Sequence, residues 1–364
     1  MSKYALNHRF SLQLTLYCIA HFLIDLASTC IVLAYILYTH HSISAFLAFY
    51  FIAFAGQMPL GLLADRINRN ALVAACGCML MVIAILLMAA FPASAFVPVV
   101  TLAALANALV HIGGGIDVLN HSGPRSGPLG LFVSPGAIGL YVGTALVHAD
   151  ISISRFLIFS LLLTATAILL TQKWMHGSFT SLNPPCTLRP TLPARPGIIA
   201  FTIAALFLIV TLRSYVGLTL SFDWKTQWHW ALFLLIALVA GKAFGGLLSD
   251  RFGMMRTAAI SLSLAALLFL LPNQPLAGTL AVFLFNMTMP MTLWALSRIF
   301  SNARGFAFGT LTLALFLGLW ITYLHPAPLL PTGIGFSIAT LLSLILLTTA
   351  IRPLTTAYTS PTKT

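Results

Sequence analysis

Glutamate is absent from this chain of 364 residues, and all six acidic residues are aspartate. Charged side chains of either sign make up only 7% of it. Five cysteines, mostly set inside apolar runs, argue against a disulfide framework. No G-x-x-x-x-G-K-[ST] string occurs, so a phosphate-cradling loop of that kind is excluded, and with it direct use of ATP. No nucleophile–base pair or zinc-ligand spacing stands out either, which argues against an enzyme and leaves no cofactor to expect. What is present is apolar: 60% of residues are hydrophobic, and the mean hydropathy is +1.00. No soluble fold needs so much apolar surface, whereas a polytopic membrane protein does. The net charge of +12 could suggest a nucleic-acid partner. The basic residues are scattered, however, and form no stripe, so no nucleic-acid partner is expected.

Apolar runs long enough to cross a bilayer recur twelve times, at about 11–37, 43–63, 70–90, 96–118, 127–148, 152–172, 197–220, 229–248, 255–271, 276–297, 304–324 and 331–351. The first follows "MSKYALNHRF", which has the basic start of a signal sequence. The run continues well past such a segment without a cleavage site, so it reads as a span. Between the sixth and seventh runs lies "QKWMHGSFTSLNPPCTLRPTLPARP", too rich in proline, serine and polar residues to span. The expected class is therefore an all-α polytopic membrane protein with twelve transmembrane helices in two pseudo-symmetric six-helix bundles. The bundles occupy residues 1–172 and 197–353, joined by a cytoplasmic linker at 173–196 and followed by a tail at 354–364. With the N-terminus inside, fourteen of the eighteen basic residues, from Lys3 to Lys363, fall on the cytoplasmic side. Only Arg155 and Lys225 fall outside, and Arg213 and Lys242 lie within spans. Both termini are expected in the cytoplasm, and the setting is expected to be a bacterial cytoplasmic (inner) membrane.

One string occurs twice. "GQMPLGLLADRINRN" begins at Gly56, and "GKAFGGLLSDRFGMMR" begins at Gly241. The offset of 185 pairs Gly61 with Gly246, Asp65 with Asp250 and Arg66 with Arg251, at the cytoplasmic end of the second span of each half. Such parallel repeats of six helices are one of the ways secondary transporters are built. The two strings resemble the G-x-L-x-D-R-x-G-R signature of the major facilitator superfamily, in the loops between helices 2 and 3 and between helices 8 and 9. The resemblance implies gating contacts for Gly61, Asp65, Arg66, Arg69, Gly246, Asp250 and Arg251. Asp65 would face the start of helix 11 near Arg304, and Asp250 the start of helix 5 near Arg125. A carboxylate at a helix N-terminus is favoured by the helix dipole, and glycine lets helices approach closely.

A finer resemblance rests on "HFLID" in helix 1, "ALVHIGGG" in helix 4 and "LRSY" in helix 7. These are similar to segments of the fosmidomycin-resistance exporters, although Ile112 stands where that group has proline. "GLFVSPGAIG" in helix 5 resembles the G-x-x-x-G-P-x-x-G-G pattern of proton-driven exporters. Gly130, Pro135 and Gly139 match it, while Ser134 and Ile138 depart from it.

Polar residues inside the spans carry the candidate chemistry, because a charge at mid-membrane costs roughly 2.5–3.5 kcal/mol on insertion scales. His21 and Asp25 are four apart on helix 1 and share a face. With Asp117 in helix 4 they are the candidate proton-coupling groups, although Asp117 is also placed to pair with Arg66. Arg213, His111, Asn286, Trp294 and Lys242 are the candidate substrate-binding residues. Arg213 corresponds to Ser28 in the repeat, one turn from Asp25, so a meeting of Arg213 with Asp25 is expected. A metal site is not expected. Cys76 and Cys78 are two apart on a helix and point away from one another, and methionines such as Met79, Met81, Met287, Met289 and Met291 usually fill apolar space.

The expected function is secondary active transport: proton-coupled export of a small, anionic or amphiphilic molecule by a monomer in a lipid bilayer. Import of a small metabolite, or a non-transporting receptor or assembly role on the same fold, are the alternatives.

Overall fold

The structure, a computed structural model, describes residues 8–325, 327 and 329–359. Lys3, Lys363 and the end of the expected tail lie outside the described residues. The described chain is helical and multi-pass. Eleven of its helices are long and apolar enough to cross a membrane. In chain order the helices are α1 (Phe10–Thr39), α2 (Ile43–Ile67), α3 (Asn70–Ala90), α4 (Phe96–Ser122), α5 (Gly127–His148) and α6 (Ser154–His176). They continue with α7 (Pro196–Thr219), α8 (Trp228–Phe252), α9 (Met254–Phe269), α10 (Pro275–Ile299), α11 (Arg304–Leu324) and α12 (Ile334–Thr355).

The twelfth apolar helix, α9, is the exception, with only 16 residues. At 1.5 Å per residue it covers about 24 Å, short of the ~30 Å hydrocarbon core. Such a mismatch is met by local thinning of the bilayer or by flanking residues that reach the interface.

Several boundaries differ from the sequence expectation. The repeated Asp-Arg pairs were expected in loops, yet Asp65 and Arg66 lie in the last turn of α2, and Asp250 and Arg251 in that of α8. The α2 helix ends where Asn68 turns left-handed, at φ 52°, and the α8 helix where Gly253 does, at φ 89°. The α6 helix runs four residues into the expected linker and stops at Gly177, also left-handed at φ 67°. The last helix continues through Pro353 to Thr359, into the expected tail. Proline breaks two helices as its ring geometry requires. The α5 helix is interrupted at Ser134, before Pro135, and α10 at Met287, just ahead of Pro290.

The chain divides into two compact units. The first comprises residues up to Gly123, Phe132–Cys186 and the first turn of α11, Arg304–Gly309. The second comprises Pro124–Leu131, Thr187–Ala303 and the chain from Thr310 onward. Their boundary at Cys186–Thr187 falls inside the linker, and each unit also takes one short segment from the other half of the sequence.

Within the first unit, small residues bring helix backbones together. A Cβ at Gly113 of α4 would lie 2.5 Å from both Ala74 N and Asn70 O of α3, and one at Gly77 of α3 would lie 2.8 Å from Ala106 O of α4. Each glycine is thus fitted against the other helix's backbone, the packing that membrane helices use where the hydrophobic effect does not drive them together. The outer face is the converse. On α6, Phe156, Phe159, Leu163 and Leu170 are exposed at helical spacing, while Leu157, Leu161, Ala165 and Ile168 are buried. An apolar stripe of that size would be a liability in water and is the natural surface in lipid.

This packing predicts that Gly113→Ala, whose methyl would strike backbone, lowers the thermal unfolding midpoint in detergent by the equivalent of about 1–3 kcal/mol. Gly217→Ala in α7, with no heavy atom within 4 Å of the added carbon, should leave the midpoint unchanged or raise it.

Candidate functional site

Near the middle of α1, His21 and Asp25 lie one turn apart, and α4 brings Asn107 and His111 to them. Asp25 lies 3.4 Å from His21 Nε2 through Oδ2, and 3.6 Å from His111 Nε2 through Oδ1. The two imidazoles approach at 3.0 Å between their Nε2 atoms. Asn107 Nδ2 donates to Asp25 Oδ1 at 3.0 Å and to Ser28 Oγ at 3.0 Å. His21, Asn107 and His111 are buried, and the Asp25 side chain is 13% exposed. Both rings have their other nitrogen on a backbone carbonyl: His21 Nδ1 on Phe132 O at 2.8 Å, and His111 Nδ1 on Asn107 O at 2.7 Å. Carbonyls only accept, so both Nδ1 atoms carry hydrogen and donate. The sequence placed His111 with the substrate residues, whereas the structure places it on Asp25. Asn107, Ser28 and Gly136 were missed. Asn107, one turn before His111 on the same face, was the one that spacing could have revealed.

The expected partner of Asp25 was Arg213. Within its own unit the ionisable neighbours of Asp25 are the two histidines, and Arg213 is buried in the second unit. There its Nη1 donates to Thr292 Oγ at 3.5 Å. Among the other candidate substrate residues, Asn286 turns its amide onto Val282 O of its own helix. Trp294 is buried beneath the guanidinium of Arg298, 5.4 Å from the ring centroid. Lys242 is half-buried in α8, and its backbone carbonyl would lie 2.5 Å from a Cβ at Gly130 of α5. Pro135 restarts α5 after its break, and Gly139 lies against α1, where a Cβ would meet Phe22 O at 2.4 Å.

Asp117 does not pair with Arg66. Tyr17 donates its hydroxyl to Oδ2 of Asp117 at 2.6 Å, Gln13 donates to the same oxygen at 3.2 Å, and Asn70 donates to Oδ1 at 2.6 Å. Arg66 is exposed. The carboxylate is saturated by neutral donors, and Asn70 extends the network to Asn183 of the linker at 2.7 Å.

The repeated motif forms two matching caps. Asp65 accepts from Gly305 N at 2.9 Å and Phe306 N at 3.0 Å, the first free amides of α11. Asp250 accepts from Ser126 N at 2.7 Å, Ser126 Oγ at 3.0 Å and Gly127 N at 2.9 Å at the start of α5. These amides have no partner inside their helices, so a carboxylate satisfies them and meets the positive end of the helix dipole. The motif glycines make room: a Cβ at Gly61 would lie 2.1 Å from Gly305 O, and one at Gly246 would lie 2.5 Å from Ser126 O. Arg304, at the start of α11, donates to Asn120 Oδ1 at 2.7 Å. The basic halves of the motif, Arg66, Arg69 and Arg251, are exposed.

No family model matches the sequence, and no curated protein matches it in sequence. Solved structures do match. The human organic anion transporter MFSD10 superposes with a TM-score of 0.68 at 15% identity, over 93% of this chain and 99% of that one. The E. coli fucose:proton symporter gives 0.59 at 16% identity, over 96% and 98%. A bacterial homologue of the iron transporter ferroportin, in an outward-facing state, gives 0.57 at 14% identity, over 98% and 100%. The fold is that of the major facilitator transporters. At these identities the likeness is one of fold.

Two consequences can be measured. Asp65→Asn and Asp250→Asn each remove a charge from a helix N-terminus and should cost on the order of 1 kcal/mol of stability. Asp117→Asn removes the charge and turns an NH2 donor toward at least one of the three donors, and it should cost more, about 1–3 kcal/mol. Thermal unfolding of the purified variants orders the three, and a milder loss in Asp117→Asn than in Asp65→Asn would contradict the network.

Proposed function

We propose that the protein is a secondary active transporter, acting as a monomer, that exports a small anionic or amphiphilic molecule in exchange for protons. The observation that carries this reading is the Asp25 cluster: a carboxylate and two imidazoles held near mid-span, on a fold shared with transporters. A group so expensive to insert is kept where a cation must be taken up and released. Asp25, flanked by His21, is the proposed exchange site. Asp117, with every bond from neutral donors, is assigned to structure.

In the second unit, buried Arg213 has one long neutral contact and offers a planar fork suited to a carboxylate or phosphate. That favours an anionic group on the substrate, and the likeness of fold to an organic anion transporter agrees with it. The caps at Asp65 and Asp250 are proposed as the gating contacts. The α11 helix begins in one unit and continues in the other, so a cap on its first turn is a natural place for conformational change to be felt. The helix 5 pattern favours export over import, although the fold is also shared with a sugar:proton symporter.

Proteoliposomes containing a pH-sensitive dye test the coupling. Asp25→Asn keeps the shape and should abolish substrate-dependent proton movement while the protein still folds; a normal rate would place coupling elsewhere. Arg213→Lys, which loses the fork, should weaken anion transport, and Arg213→Ala should weaken it further. If the double substitution Arg213→Ala with Asp25→Ala restores transport lost in Arg213→Ala, the guanidinium serves only as a charge partner.

A further inference from the structure

The three side chains around Asp25 are arranged more closely than a proton site alone requires. Each imidazole donates an Nδ1–H to a carbonyl, so in the neutral ring it is the Nε2 lone pair that points inward. This is the arrangement by which a neighbouring acceptor fixes the tautomer and aim of a metal-ligating histidine. The two Nε2 atoms lie 3.0 Å apart, and each approaches a different oxygen of Asp25, His21 at 3.4 Å from Oδ2 and His111 at 3.6 Å from Oδ1. One face of a tetrahedron with Zn–N and Zn–O bonds of about 2.0–2.1 Å has edges of about 3.3–3.4 Å. Asn107 donates to Asp25 Oδ1 at 3.0 Å, the oxygen that also faces His111.

The α5 backbone packs directly against the donors as well. A Cβ on Gly136 would fall 2.4 Å from both Asp25 Oδ2 and His21 Nε2. Any other residue there would push the carboxylate and the imidazole out of place, so glycine preserves the arrangement of the donors. Among the described residues this is the one group of three such side chains whose donor atoms converge, all within 4.8 Å of one another.

We propose that His21, Asp25 and His111 bind a single divalent transition-metal ion. Two imidazole nitrogens and one carboxylate suit Zn²⁺, Co²⁺, Mn²⁺ or Fe²⁺ better than Ca²⁺ or Mg²⁺, which take all-oxygen sets, or Cu⁺, which takes sulfur. The inference rests on the reading of this cluster as an exchangeable-cation site and uses its geometry, not the titration of its groups. It names the class of cation that would compete with protons there.

Zinc binding to the full chain, purified without a histidine tag, stripped with chelator and titrated by calorimetry, tests it. One Zn²⁺ per chain is expected. His21→Ala and His111→Ala should each weaken binding at least tenfold, and Asn107→Ala about 10–100-fold as a positioning residue. His148→Ala, an exposed histidine away from the cluster, should change nothing. Co²⁺ added to the unaltered protein gives a readout that does not depend on variants folding: visible bands of tetrahedral intensity without thiolate charge-transfer. Absence of stoichiometric binding, binding unchanged in both histidine variants, or a thiolate band pointing to cysteine would each overturn the proposal. Normal proton flux in the dye assay with no metal bound removes the metal site alone. Stoichiometric metal with no proton flux removes the exporter reading alone.

Discussion

Hydrocarbon offers no hydrogen bonds, so every polar group that enters it must find its partner inside the protein. Four of the six aspartates lie within the spans, at Asp25, Asp65, Asp117 and Asp250. Among them the constraint is met in three ways. Asp65 and Asp250 take the free amides that open α11 and α5. Asp117 takes neutral side chains. Asp25 alone meets groups that can themselves carry charge.

That division sorts structure from chemistry. A carboxylate on backbone amides repairs an unavoidable defect of helix geometry, since the first amides of any helix lack internal partners. A carboxylate fully bonded by tyrosine, glutamine and asparagine is held in place and joins the linker to the bundle through Asn70 and Asn183. A carboxylate beside two imidazoles stands among side chains that can themselves take up a proton. The proposals for proton exchange and metal binding both grow from that difference.

The close approach of helices is the second condition for these sites. Gly61, Gly246 and Gly136 each stand where a side chain would collide with a backbone or with donor atoms. In a bilayer, where apolar surface gains little by leaving lipid, such close packing substitutes for hydrophobic collapse.

The sequence by itself determined the spans, because a bilayer of fixed thickness demands apolar runs of fixed length, and the two-fold repeat, because equivalent strings recur at one offset. It also located Asp65 against the start of α11 and Asp250 against the start of α5, through the resemblance that the motif carries. The short α9, the helical continuation of both motifs and the extension of α6 were beyond it, since apolar runs mark where lipid ends and not where backbone hydrogen bonding stops. The Asp25 site was half legible. Spacing on one helix joined His21 to Asp25, but His111 is 90 residues from His21, and Asn107 is 82 from Asp25. Helical periodicity fixes which residues share a face; it does not fix which faces meet. Tertiary packing therefore decided that Asp25 faces two histidines, that Asp117 faces Tyr17 rather than Arg66, and that Arg213 rests on Thr292. Those choices depend on how each helix is rotated about its own axis, which many contacts set together.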